Sequence, residues 1–288
     1  MKPFDYLRPT SLDAACAAWA NATGTVRLLS GGTDLTVGLR HGHLTADVVV
    51  DLKRVPDLQP QIAVEADMLR VSACTSMSVL SEYLESEELF PALRDAADVV
   101  GSIQIRNRAT LVGNICNASP AADTVPVLAA LGSSVEIVGP KGTRRLHVAD
   151  FIQGNRKIDL MRGEIVTAVL IPMAAAARGA AFDRITRRRG VDLATANLCC
   201  AVGEDDVVFA FGSVSPRPLV VRSDDPVLRD LKAGPDDRVE VIRSLCDHAS
   251  PISDVRASAQ YRTAMLHVMA ERALSAAKER YHTAATHA

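Results

Sequence analysis

The segment that most restricts this chain is Leu28-Leu29-Ser30-Gly31-Gly32-Thr33-Asp34-Leu35, in which an apolar β-run empties into two glycines and then into a helix start. Glycine lacks a Cβ and adopts φ > 0 at low cost, so a diglycine allows a very tight turn and lets an anionic group approach the main chain. The unpaired N–H groups of the following helix start favour an anion at the same place. The segment matches neither the Gly-x-x-x-x-Gly-Lys-Ser/Thr loop nor the Gly-x-Gly-x-x-Gly dinucleotide pattern. Taken alone, it reads more often as a tight turn than as a phosphate site.

The surrounding elements set the frame for this turn. Ser11 to Ala20 is alanine-rich behind a Thr10-x-x-Asp13 helix start, Val26 to Ser30 reads as a strand, and Asp47 to Leu52 is a second β-branched run, so the first part is a β-turn-α-β segment. Beyond a proline-containing connection, Val55 to Pro60, come strand candidates at Leu69 to Ala73 and Val135 to Val138. Helices are expected near Ser78 to Glu85, Pro91 to Val99 and Thr124 to Leu131. Ile165 to Ile171 is a strand ended by Pro172, and the low-complexity run Ala174 to Ala181 marks a domain boundary. The expected division is residues 1–176, with subdomains of about 1–57 and 58–176, followed by residues 177–288. In the last part, Asn197 to Val202 and Val207 to Val214 form a hairpin around Gly203-Glu204-Asp205-Asp206. Asp254 to Tyr281 carries the helical stripe Leu266, Met269, Ala270 and Ala273.

Composition excludes several functional classes. With 32 Lys and Arg against 34 Asp and Glu, the 288-residue chain lacks the positive balance of a nucleic-acid binder, and the run Arg184, Arg187, Arg188, Arg189 has no aromatic platform beside it. No apolar stretch reaches the roughly 18 residues of a membrane span, and Met1-Lys2-Pro3-Phe4-Asp5 lacks a signal-peptide core, so a cytoplasmic protein is expected. Cys16, Cys74, Cys116, Cys199, Cys200 and Cys246 give no Cys-x-x-Cys or Cys/His zinc spacing. They also lack the close, recurrent spacing of an iron–sulfur cluster, and the seven histidines are ungrouped, so no metal ligands are assigned.

A second loop, Gln104 to Asp123, is dense in small and polar residues within an apolar region, and its Asn, Ser and Thr groups suit a polyfunctional ligand. Together with the first loop, this segment makes the sequence resemble a known family. Gly31-Gly32-Thr33-Asp34-Leu35, Ile105-Arg106-Asn107-Arg108-Ala109-Thr110 with Gly113-Asn114-Ile115, and Ala118-Ser119-Pro120-Ala121-Ala122-Asp123 are similar to the FAD-binding (medium) subunit of the molybdenum hydroxylases. These include the xanthine dehydrogenase, carbon monoxide dehydrogenase and N-heteroaromatic dehydrogenase types. The likeness continues at Phe151-x-x-Gly154-x-Arg156-Lys157, Gly163-Glu164-Ile165, Arg188-Arg189-x-x-Asp192-Leu193-Ala194, and Asp254-Val255-Arg256-Ala257-Ser258 with Tyr261-Arg262.

The resemblance implies an α+β fold. A two-lobed FAD-binding domain of the vanillyl-alcohol-oxidase type would be followed by a small C-terminal α+β domain with an antiparallel sheet. It implies FAD extended between the lobes, held by Arg27, Leu28, Leu29, Ser30, Gly31, Gly32, Thr33 and Asp34 from the first loop. From the second loop it implies Ala109, Thr110, Gly113, Asn114, Asn117 and Asp123, with Val166 and Arg184 bordering the flavin. No side chain is assigned as acid, base or nucleophile. The implied partners are a large molybdopterin-binding subunit and a small subunit with two [2Fe-2S] clusters, in an assembly that can extend to a dimer of heterotrimers. The implied function is electron transfer from those clusters through FAD to NAD or another acceptor. A self-sufficient FAD-dependent oxidase and a flavin-free scaffold subunit are the competing readings.

One position departs from the family pattern. The usual Thr-x-Gly-Gly-Asn is here Thr110-Leu111-Val112-Gly113-Asn114, and a valine forced to φ > 0 would be strained by about 1 to 3 kcal/mol. The reading taken is that position 112 is β-like and that FAD still binds.

Overall fold

The computed structural model describes residues 2–287, with side chains through residue 283. The chain opens with β1 (Asp5–Leu7), α1 (Leu12–Asn21), β2 (Val26–Leu29), α2 (Leu35–His41) and β3 (Val48–Asp51), and the three strands pair in parallel in the order β1-β3-β2. The Ser11 hydroxyl caps α1 at Ala14 N, one residue later than the Thr10-x-x-Asp13 pattern placed the helix start, and α2 ends on Gly42 at φ 75°. Parallel strands need covered faces. Val48 and Val50 enter the main core, whereas Val49 packs from the other face with Leu39 and Ala46.

A second, antiparallel sheet follows, built from β4 (Ile62–Glu65), β5 (Met68–Ser72), β6 (Ser134–Gly139) and β7 (Gly142–His147). A short hairpin, β8 (Ile152–Gly154) with β9 (Lys157–Ile158), leads to β10 (Ile165–Pro172), which takes the centre of the order β4-β5-β10-β6-β7. That central place explains why Ile165 to Ile171 is buried on both faces and reads as an unbroken apolar run. Between β5 and β6 lie α3 (Met77–Ser86), α4 (Pro91–Asp98), α5 (Ile103–Arg106), α6 (Leu111–Cys116) and α7 (Thr124–Ala130), and α8 (Val148–Phe151) precedes β8.

The last part is a meander of β11 (Gly179–Ile185), β12 (Ala196–Val202), β13 (Val207–Gly212) and β14 (Leu219–Ser223), followed by α9 (Pro235–Cys246) and the long α10 (Ala259–His287). The Leu266, Met269, Ala270, Ala273 stripe of α10 packs on Phe209, Phe211 and Leu198 in a separate core. Gly179 lets the helix lie close on the sheet, because a Cβ there would stand 2.1 Å from Ala277 O. The helix begins at Ala259 rather than Asp254, since Asp254 turns its carboxylate back onto Arg256 N and Ala257 N. Likewise β13 stops at Gly212 and does not reach Val214, because Ser213 turns the chain at φ 63°. Among the described residues, no helix is long and apolar enough to cross a membrane, and all six cysteines are free thiols.

Candidate binding cleft between the two sheets

Strand β2 delivers Ser30, Gly31 and Gly32 at its carboxyl end, and there they meet the chain between α5 and α6. A Cβ on Gly31 would lie 2.0 Å from Arg108 O and 3.1 Å from Ala109 Cα, so the two main chains touch only because residue 31 is glycine. Gly32 follows at φ 77° and accepts both Thr36 N (2.9 Å) and Thr36 Oγ1 (2.6 Å), which starts α2. From the same turn the Ser30 hydroxyl donates to Ala73 O at 3.1 Å and lies 3.4 Å from Thr110 Oγ1.

Thr110 in turn caps α6, accepting Gly113 N at 3.0 Å, while Met77 N holds Ala109 O at 2.8 Å. Val112 is therefore in the first turn of a helix and not in a β-like conformation, which corrects the expectation for this position. Its φ is not positive, its side chain is buried in the core, and the feared strain is absent. Farther along, Thr124 Oγ1 donates to Asn114 Oδ1 (2.8 Å). Asn117 accepts Arg156 through Oδ1, while Arg156 N donates to Ala118 O at 2.9 Å.

These segments enclose a cleft of about 340 Å³, within the range of small-molecule sites. Its waist is polar and mostly main chain: Ser30, Gly31, Gly32, Thr33, Thr110, Gly113, Asn114 and Asn117. The apolar lining comes from two places. Trp19, Val26, Leu28, Ile158, Leu160, Ile165 and Val166 belong to α1, β2 and the approach to β10, which Arg162 ties to Ala20 and Ala22. Val100 and Ile105 instead meet around Gly101, one helical turn before the Arg108–Ala109 backbone that touches Gly31. Arg27 and Asp34 supply the charged side chains of the lining, and Arg27 Nε is committed to Thr45 O at 3.1 Å. An anion at the waist would therefore rely chiefly on amides. Two thiols border the space. Burial pushes the Cys116 thiol up to about 12 and also raises Cys74, so both are neutral neighbours and not nucleophiles.

Of the residues expected at the cofactor, Arg27, Leu28, Ser30, Gly31, Gly32, Thr33, Asp34, Ala109, Thr110, Gly113, Asn114, Asn117 and Val166 come together around this cleft. Leu29, Asp123 and Arg184 do not line it. Leu29 points to the opposite face of the parallel sheet, with Leu39 and Val49, as alternation along β2 demands. Asp123 and Arg184 are paired with each other at 2.8 Å. Asn197 Nδ2 donates to Asp123 Oδ1 at 3.0 Å, and Arg184 Nη1 also reaches Val99 O at 3.3 Å. Burial raises the Asp123 carboxyl, against the pull of Asn197 and Arg184. Sequence reasoning did not find Trp19, Leu160 or Ile158; no motif marks them, and the one available signal was a lone tryptophan in an alanine-rich helix.

Comparison with known proteins follows the same division. Residues 2–174 match the model described as FAD binding domain in molybdopterin dehydrogenase, and residues 180–277 match CO dehydrogenase flavoprotein C-terminal domain. The chain is 30% identical over 292 residues to caffeine dehydrogenase subunit beta of Pseudomonas sp. (strain CBB1), covering 97% of each chain. It is 31% identical over 287 residues to the carbon monoxide dehydrogenase medium chain of Afipia carboxidovorans, covering 96% of this chain and 97% of that one. Among solved structures, the cyanide-inactivated form of Cu,Mo-CO dehydrogenase superposes with a TM-score of 0.84 at 29% identity, covering 97% of this chain and all of the matched one. Quinoline 2-oxidoreductase from Pseudomonas putida 86 reaches a TM-score of 0.86 over 98% of this chain and 99% of that one; at 24% identity it speaks for the fold alone.

Proposed function

The chain belongs to the family of FAD-binding medium subunits of the molybdenum hydroxylases, and from that premise we propose that its cleft holds FAD as an extended dinucleotide, with the diphosphate at the waist. The observation that carries this reading is the cradle at Gly31, where two main chains meet without any side chain between them. A dinucleotide has two flat rings separated by a charged linker. The cleft has two apolar ends separated by a polar waist, and that match of polarity supports the fit.

In this reading Arg27 through Asp34 form one wall, and Ala109, Thr110, Gly113, Asn114 and Asn117 the other, with Val166 at the end. Leu29 contributes through the strand that carries it. Asp123 and Arg184 act through Val99, by fixing the wall at Val100. Val112 and Cys116 exclude water from the base of the cleft, and the neutral thiols add no charge there. When bound, FAD supplies the redox chemistry that would join [2Fe-2S] clusters of a small partner subunit to NAD or another acceptor.

The same proposal assigns residues 1–176 to a vanillyl-alcohol-oxidase-type FAD domain with lobes of about 1–57 and 58–176. Residues 177–288 form its C-terminal companion, a division supported by family matches that stop at 174 and resume at 180. It also includes a large molybdopterin-binding partner and a cytoplasmic assembly of three kinds of subunit that can pair as a dimer of heterotrimers. The names of the relatives, a subunit beta and a medium chain, support the multi-subunit character of that assembly.

The test is purification of the tagged chain from its own cells. Flavin absorbance together with two co-purifying subunits, one with molybdenum and one with iron–sulfur absorbance, is the expected result. A colourless chain in the same complex would replace the reading with a scaffold subunit. Substrate oxidation by the chain alone would replace it with a self-sufficient oxidase.

A further inference from the structure

We propose that Trp19 is the aromatic wall of the adenine end of the cleft and sets the preference of this chain for the full dinucleotide over the mononucleotide FMN; the inference rests on the FAD reading above. The two ends of the cleft are unlike. The end at Val100 and Ile105 is open: Ile105 is 37% exposed and its neighbour Ile103 is 60% exposed. It also adjoins the C-terminal domain, since Arg184 of β11 holds Val99 O. At the other end Ile165 is fully buried and Val166 is 3% exposed, and Trp19, in the last turn of α1, is partly buried against the core with Val26, Leu28, Ile158 and Leu160, none of them exposed. A ring that exchanges electrons with other subunits or acceptors needs the accessible end. The ring that only anchors the cofactor belongs in the enclosed one.

Trp19 is also held in place, which a stacking platform requires. Its helix is tied to the turn before β10, where the Arg162 guanidinium donates to Ala20 O and Ala22 O, and a Cβ on Gly163 would meet the Ala20 methyl at 3.0 Å. That turn is locked from inside by Glu164, whose carboxylate accepts Met161 N at 2.7 Å and Arg144 at 2.7 Å. Leu160, Ile165 and Trp19 thus form the walls of one apolar pocket, and the tryptophan is its one aromatic ring among the lining residues. A purine stacked on an indole gains on the order of 1–3 kcal/mol, judged by alanine substitution at base-stacking aromatics.

Trp19 is the single tryptophan of the chain, so its emission reports this contact without labelling. Flavin-stripped full-length protein is titrated separately with FAD, ADP and FMN. Indole emission and its quenching by acrylamide are followed alongside flavin fluorescence. ADP is expected to perturb the emission, and FAD and ADP to shield Trp19 from acrylamide while FMN does not. Loss of emission alone is not read for the two flavins, because a bound isoalloxazine quenches indole by energy transfer without contact. Trp19→Leu should weaken FAD about tenfold or more while leaving FMN binding as it was, and Trp19→Phe should recover most of the loss. Shielding by FMN, or FAD binding with Trp19 still accessible to the quencher in the presence of FAD and ADP, overturns the assignment. Failure of FAD to bind at all overturns the cofactor reading beneath it, and the flavin signal distinguishes that outcome.

Discussion

Replacing Gly31 by alanine tests the cleft at its narrowest point. The added methyl would stand 2.0 Å from Arg108 O, where carbon atoms of this kind stay beyond 3.0 Å, so the two loops would have to part by at least about 1 Å. Residue 31 is not in the left-handed region, and the cost is therefore steric and not conformational. Forcing an extra methyl between packed backbones costs about 1–3 kcal/mol. Without ligand, the loops can relieve the clash by opening the waist. A dinucleotide bridging both loops has to close it again, so most of the cost falls on affinity, weakening FAD by about ten- to a hundredfold. The assay is an equilibrium titration of flavin-stripped protein with FAD, alongside thermal melting. Gly42→Ala is the control: it has φ 75° and nothing within 4 Å of the added methyl, so it should lower Tm by about 2–4 °C and leave FAD binding alone. Wild-type FAD affinity in Gly31→Ala, or an equal loss in Gly42→Ala, would refute the reasoning.

Three further outcomes follow from the same geometry. Val112→Gly removes a buried side chain from the first turn of α6 and should cost about 2–3 kcal/mol in urea unfolding with no gain in bound flavin; a rise in flavin content would show that valine obstructs the site. Arg184→Met strands a carboxylate that is 7% exposed and should destabilise by about 3–5 kcal/mol at neutral pH. Because burial holds the Asp123 carboxyl above its ordinary value, the stability it contributes is fullest below the unfolded value and is lost as pH rises through the folded one. The deficit of Arg184→Met should therefore shrink on acidification and be partly restored by Asp123→Asn, as unfolding curves across pH would read. Glu164 has the opposite sign. Its bond to Arg144 holds the carboxyl below 4.5, so its contribution is present above that value and lost as pH falls through the folded one; Glu164→Gln should flatten the acid limb of the stability profile.

The strand, turn and helix around Gly31 were legible because each rests on local chemistry: an apolar run, residues without steric bulk, and a helix start. The same holds for β10, whose unbroken burial shows as an unbroken apolar sequence. Strand β7, Gly-Thr-Arg-Arg-Leu-His, was not legible, since it lies at the sheet edge with its outer residues in water and carries no apolar alternation. The β8–β9 hairpin is too short to leave a period. Val112 could not be placed from sequence either, because the Thr110 hydroxyl that starts α6 could equally begin a turn. Asp123 and Arg184 are neighbours only through the docking of α7 against β12, a contact between residues 61 positions apart that no local pattern announces.

That docking gives the C-terminal domain a mechanical connection to the cleft. Helix α4 is buried through Ala92, Leu93, Ala96 and Ala97, and it is gripped at two points from the later domain. Arg280 of α10 binds Asp95 at 2.9 Å and also donates to Ala180 O at 2.8 Å. Arg184 of β11 binds Val99 O just beyond the end of the helix, one residue before the cleft wall at Val100. The polar waist depends on main chain and glycine within the first domain, whereas the open end depends on side chains of the second. A substitution in the β11–β12 pair can thus move the wall at Val100 without touching Gly31. Disturbance of the C-terminal domain should change the environment of the ring at the open end before it changes retention of the diphosphate, and the flavin absorption envelope measured against flavin content separates the two effects.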